Sequence, residues 1–250
     1  MSTPILSIIT INRNNADGLR KTIESVLSQD VSDKTQVEYI IIDGASTDNS
    51  VEVIKSFENN QSNKLQITKW ISEPDSGIYN AMNKGIKMAT GELIGIMNSG
   101  DTYLPKIFKK IIDMHKINSD SILYGAMKTI KNSQFESIWG YHYSYLERQM
   151  IPHLATFIPN KIYQQIGFFD ENYKIAADYD LFLRFYNAKV PFYFTDEIIC
   201  SFNLDGISQN NARETDFETK HIKQKYGYYI PPSKKQKIKN IIKKFLEFKL

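Results

Sequence analysis

Four short apolar runs punctuate the first half of the chain, each closed by polar or glycine residues. They are "ILSIITI" ending at 11, "VEYIIID" (37–43), "LQITKWIS" (65–72) and "ELIGIM" (92–97). Unbroken β-branched runs of this length predict strands buried on both faces. Between them the period changes to that of a helix. Leu19, Ile23, Val26 and Leu27 share one face, Val51, Val53, Ile54 and Phe57 another, and Ile78, Met82 and Ile86 a third. Ser46-Thr47-Asp48 reads as the start of the second helix. Pro105 opens a fourth helix near 105–117, since proline suits a first helical turn. Strands alternating with helices predict parallel βαβ units in a doubly wound α/β fold.

After "SILYGAM" (121–127) the rhythm breaks. Residues 134–158 are aromatic-rich and irregular, and "ADYDLFLRFYNA" (177–188) resumes a helical period. The expected layout is one domain over 1–230, split into a first half to 127 and an elaborated second half, with a separate segment over 231–250. That last segment, "PPSKKQKIKNIIKKFLEFKL", aligns Ile238, Ile241, Ile242, Phe245 and Leu246 as a stripe flanked by lysines. Such an amphipathic helix suits an anionic membrane surface through 233–250, or docking on the protein's own core or a second copy in a homodimer.

Composition narrows the picture little. The chain has 250 residues and a formal net charge of +3, too small for a general nucleic-acid binder. Its one cysteine, Cys200, excludes an internal disulfide and a cysteine-based zinc site. The N-terminal apolar run lacks the basic lead of a signal peptide, so a cytoplasmic location is expected, with peripheral contact at the inner membrane face.

In open parallel sheets ligands bind beyond the carboxyl ends of the strands. Thr10 and Asn12, then Asp43, then Asp75, then Ser99, Gly100 and Asp101 fall at the four predicted ends. No glycine-rich dinucleotide or P-loop signature is present. A carboxylate-lined crevice accepts phosphate only with a divalent cation between them.

The stretches "SIITINRNNADGLRKTIESVLSQ", "YIIIDGASTDNS", "SEPDSGIYNAMNKGIKMATGELIGIMNSGD" and "AADYDLFLR" resemble family-2 glycosyltransferases of the GT-A fold, over roughly residues 5–190. The resemblance implies inverting transfer of a sugar from a nucleoside-diphosphate sugar, UDP-linked by preference, to a glycan or lipid-linked glycan acceptor. Bacterial members of this type build capsule or lipopolysaccharide chains. It places Asp43 on a uracil N–H and Thr10 and Asn12 on the nucleoside side. Asp75 and Asn80 fall on the nucleoside or donor sugar, and Lys84 near the diphosphate. Asp101 stands at the last acid of the family's metal motif, where Asn98 and Gly100 replace frequent aspartates, and would hold Mg2+ or Mn2+. Asp178 takes the position of the catalytic base, without the glutamate that often precedes it, while Asp180 orients or caps, or else touches acceptor, donor phosphate or metal. His153 either touches acceptor, donor phosphate or metal or is structural, while Trp139, Tyr141 and Tyr143 either stack on an acceptor sugar or pack in the core. A non-catalytic nucleotide-sugar binder and a retaining transferase are the competing expectations.

Overall fold

The computed structural model describes residues 3–58, 65–204 and 212–229. Three βα units open the chain: β1 (Leu6–Asn12) with α1 (Ala16–Leu27), β2 (Val37–Asp43) with α2 (Ser50–Glu58), and β3 (Lys69–Ser72) with α3 (Ile78–Met88). β4 (Leu93–Asn98), β5 (Thr102–Tyr103), α4 (Ile107–Ile117), β6 (Ile122–Lys131), β7 (Gln134–Trp139) and β8 (Thr156–Pro159) follow. The chain continues through α5 (Asn160–Ile166), α6 (Ala177–Asn187), β9 (Phe192–Asn203) and α7 (Ala212–Lys225).

These strands join one sheet in the order β3-β2-β1-β4-β8-β6-β9-β5, with β7 added on β6. β3, β2, β1 and β4 run parallel, as their apolar runs require. Every residue of β1 and β2 is buried. Alternation divides β1 between two layers: Leu6 and Ile8 meet α1, α2 and α4, whereas Ile9 and Ile11 meet α3, α5 and α6. The α3 layer approaches closely at Gly85, where an added Cβ would lie 2.4 Å from Ile9 Cγ2. Gly85→Ala is expected to cost about 1–3 kcal/mol through overpacking. The roughly 0.5–1 kcal/mol that alanine gains in a helix does not offset this, because Ile9 is fully enclosed and cannot yield. A lower urea midpoint at unchanged m-value is the signature.

Three expectations need correction. The third strand covers only Lys69–Ser72, because residues 65–68 are still climbing to the sheet, with the Leu65 N–H donating to the Leu27 carbonyl at 3.2 Å. Pro105 does not begin α4. Lys106 takes a left-handed φ of 65° and the helix starts at Ile107, whose N–H donates to the buried Gln29 side chain at 3.0 Å. A side chain from the end of α1 thus satisfies a terminal donor that a local cap would otherwise serve. The stretch 134–158 is not wholly irregular: β7 pairs antiparallel with β6, and β8 wedges antiparallel between β4 and β6. The basic segment over 231–250 lies outside the described residues. Among the described residues, no helix is long and apolar enough to cross a membrane.

Candidate active site

The sheet changes direction of growth between β1 and β4, since β2 and β3 are added on one side of β1 and β4 on the other. At such a point the loops beyond the strand ends diverge and leave a crevice. Side-chain bonds fix those loops to one another. Asn14 N–H donates to Ser46 Oγ at 2.8 Å and Thr47 N–H to Asn14 Oδ1 at 2.7 Å. The Ala16 N–H donates to Asp48 Oδ2 at 2.9 Å, and Asn15 Nδ2 to the Ser99 carbonyl at 2.9 Å. Asp48 also accepts the Ser50 N–H at 3.0 Å, so it alone of the 46–48 stretch caps α2. Ser46 turns to Asp43 instead.

Asp43 is fully buried and accepts four hydrogen bonds. Oδ1 takes Asn12 Nδ2 at 2.8 Å and Ser46 Oγ at 2.6 Å, while Oδ2 takes Ser46 N–H at 2.9 Å and Ser72 Oγ at 2.6 Å. Burial pushes its carboxyl up, but these donors outweigh it and hold the group below its ordinary value. All of its lone-pair positions are filled, so a nucleobase N–H reaches Asp43 only where a serine hydroxyl turns away. Asn12 leaves its buried Oδ1 without a partner. Thr10 does not line the crevice. Its hydroxyl shares a 3.0 Å hydrogen bond with Tyr39 within the core, because a residue two positions before the strand end is still beneath α1.

Asp75 lies against the Gly44 backbone, where a Cβ would stand 2.2 Å from Asp75 Oδ2, so only glycine permits the approach. Its Oδ1 accepts the Gly77 N–H at 3.1 Å and faces Arg13 at 3.8 Å. Asn80 donates to Glu171 at 2.9 Å. Lys84 binds Glu73 and the Pro74 carbonyl, each at 2.8 Å, which commits its ammonium to the loop after β3.

Beyond β4, Gly100 holds a φ of +105°, a left-handed conformation that favours glycine, and its N–H donates to Thr22 Oγ1 at 3.0 Å. That hydroxyl in turn donates to the Asp101 carbonyl at 2.7 Å. Asp101 is 5% exposed, and Oδ1 accepts the Asn203 N–H at 2.8 Å. Burial raises its carboxyl to about 7, against the smaller lowering by the Asn203 amide and the Asn98 side chain. Asn98 Oδ1 is buried and lacks a partner. An under-compensated acid beside an orphan amide oxygen fits a hard divalent cation. No cluster of three or more His, Cys, Asp or Glu side chains is present among the described residues, so phosphate and water would complete the shell.

Asp178 is the second residue of α6, with its side chain 17% exposed. Tyr79, at the start of α3 and hence at the same sheet end, donates to the Ile175 carbonyl and lies 3.5 Å from Asp178 Oδ1. His153 Nδ1 stands 3.3 Å from Asp178 Oδ2. Burial raises the Asp178 carboxyl above its ordinary value, and His153 opposes that shift. Burial also lowers the imidazole below its ordinary value, and the neighbouring Asp178 charge opposes that shift. His153 is therefore the titratable neighbour of Asp178 rather than an isolated histidine.

Asp180 leaves the set of acceptor contacts. It is fully buried and accepts from Arg184 Nε at 2.9 Å, Lys225 Nζ at 2.8 Å and Tyr226 OH at 2.9 Å. Two residues on a helix are about 200° apart, so Asp178 and Asp180 face opposite ways. Tyr143, half-buried, packs against the core, stacked on Phe192 with centroids 5.1 Å apart. Tyr141 stays exposed beside Trp139. Four residues not singled out from the sequence complete the framework: Asn15, Thr22 and Tyr79, within the quoted motif stretches, and Glu171, which holds Asn80, Asn83 and Ser76.

S. aureus TarS 1–349 in complex with UDP-GlcNAc superposes with a TM-score of 0.70 at 16% identity, covering 87% of this chain and 65% of that one. The mannosyltransferase PcManGT from Pyrobaculum calidifontis, in complex with GDP-Man and Mn2+, superposes with a TM-score of 0.62 at 15% identity over 80% and 57% of the two chains. The fold is the GT-A fold of glycosyltransferases. The chain belongs to glycosyl transferase family 2, whose model matches residues 7–190. An uncharacterised glycosyltransferase of Mycobacterium tuberculosis is 27% identical, over 86% of this chain and 81% of its own. A PGL/p-HBAD biosynthesis glycosyltransferase of Mycobacterium bovis is 26% identical, over 87% and 84%. The chain spans 37% of the longer TarS structure.

Proposed function

We propose that the protein transfers a sugar from a UDP-sugar to an acceptor hydroxyl with inversion at the anomeric carbon, in the synthesis of a bacterial surface glycan or glycolipid. The observation that carries this is Asp178. It is a half-buried carboxylate that no Lys or Arg among the described residues contacts, it is raised above its ordinary value, and it stands at the crevice end of the sheet. A group poised in this way suits a general base. The acceptor hydroxyl gives its proton to Asp178 while its oxygen attacks the anomeric carbon, and the bond from that carbon to the diphosphate oxygen breaks on the opposite face. Asp101 and Asn98 would hold the Mg2+ or Mn2+ ion, which supplies neutralisation of the departing diphosphate. Asn12, Asp43 and Asp75 border the nucleoside end, with Ser99 and Gly100 beside the phosphates.

TarS bound to UDP-GlcNAc and the PGL/p-HBAD biosynthesis relative support the donor class and the surface role. Incubation with UDP-glucose, UDP-galactose, UDP-N-acetylglucosamine and GDP-mannose, with and without Mn2+, tests the reading. The expected result is slow, cation-dependent release of UDP from one or more UDP-sugars. Release from GDP-mannose alone would overturn the donor assignment, and UDP binding without any turnover would favour a non-catalytic binder.

A further inference from the structure

α7 grips the base-bearing segment at two places. Glu218, 8% exposed, accepts the backbone N–H groups of three successive residues: Lys174 at 2.8 Å, Ile175 at 3.0 Å and Ala176 at 2.9 Å. These residues lead straight into α6, which has no side-chain cap of its own at Ala176. Farther along, Lys225 and the adjoining Tyr226 hold Asp180. On the other side of the 174–176 turn, Tyr79 donates to the Ile175 carbonyl. The turn is therefore fixed through its amides by α7 and through a carbonyl by α3, and Asp178 follows it by two residues.

We propose that Glu218 is a positioning residue for the transfer reaction, seating the 174–176 turn so that Asp178 meets the acceptor hydroxyl. The proposal rests on Asp178 being the base. A carboxylate is suited to this task, because each amide bond to it is charge-assisted and three of them fix both position and orientation. With both oxygens on backbone amides, Glu218 acts through the geometry of the turn. A displacement of about 1 Å at the reacting group is enough to cost about 10²-fold in rate.

The test compares wild type with Glu218→Gln, Asp178→Asn and the double variant. kcat and donor KM are measured with each of the four nucleotide sugars named above, UDP affinity by calorimetry, and amide exchange at residues 174–176 by mass spectrometry. Glu218→Gln keeps the size of the side chain but presents an NH2 to at least one of the three donors. The expected result is faster exchange at 174–176, a fall in kcat of about 10²-fold, and unchanged donor KM and UDP affinity. In the Asp178→Asn background Glu218→Gln should lower kcat no further, as for residues acting as one unit. Unchanged kcat in Glu218→Gln, or a further fall in the double variant, overturns the positioning role. Full activity in Asp178→Asn instead overturns the base assignment, whatever Glu218→Gln does. Should Glu218→Gln fail to fold, Glu218→Asp retains the charge one methylene short, and a kcat equal to wild type in that variant counts against the proposal.

Discussion

Asp178→Asn is expected to lower kcat for sugar transfer by about 10²–10⁴-fold while leaving UDP affinity unchanged. The amide is nearly isosteric, and its oxygen still accepts the Tyr179 N–H that Asp178 Oδ1 takes at 2.8 Å. What is lost is the capacity to accept a proton. Burial raises the Asp178 carboxyl, so the acid limb of the wild-type kcat profile should lie above the ordinary aspartate value. Below that limb the base is protonated and the rate falls; above it the rate reaches a plateau. Steady-state kinetics across pH, paired with UDP calorimetry, reads both effects. A variant that keeps wild-type kcat would show that Asp178 caps α6 and does nothing chemical.

Asp101→Asn should separate stability from activity. The Asp101 carboxyl is raised to about 7 from an ordinary 3.8, so the folded chain retains a proton that the unfolded chain has released. The resulting contribution to stability is full below the unfolded value and is lost as pH rises through about 7. At pH 8 the ionised, buried Asp101 therefore burdens the cation-free protein by at most a few kcal/mol, since each tenfold change in acidity corresponds to about 1.4 kcal/mol. Asparagine removes that burden, still accepts the Asn203 N–H, and can offer its own N–H to the orphan Asn98 oxygen. The variant should accordingly melt at higher temperature than wild type at pH 8 without cation, with the gap narrowing toward pH 5. Mn2+ with UDP should stabilise wild type and leave Asp101→Asn unmoved. Its transfer rate should fall by about 10²-fold or more through lost charge stabilisation. Thermal melts at the two pH values, with and without Mn2+ and UDP, check the first claims, and donor turnover the last.

The parallel half of the sheet was legible because strands covered on both faces must be apolar throughout, and the residues of β1 and β2 have no other reason to be so. Asp43 and Asp101 were legible for the same reason, since each follows such an apolar run. β7 escaped because it is exposed along most of its length and so shows no alternation. β8 escaped because it is short and buried throughout. The start of α4 depends on Gln29, whose bond to Ile107 spans 78 residues, and nothing local to Pro105 reveals it. The family resemblance set Asp178 apart from Asp180, but that Asp180 is enclosed shows only in its partners Arg184, Lys225 and Tyr226, the last two reached across 45 and 46 residues. Glu171 and Glu218 reach partners far away in sequence and belong to no spacing pattern.

The hydrogen bond from Asn203 N–H to Asp101 joins residues 102 positions apart. On a ribosome adding about 5–20 residues per second, the acid emerges about 5–20 s before its donor. Over that interval β9 is not yet available to pair with β6 or β5, and the Asp101 carboxylate waits without that amide. The matched family segment ends at residue 190, before β9 begins at Phe192. A nascent chain that has completed the family segment has thus made Asp101 and Asp178, but not the strand that holds Asp101 in place.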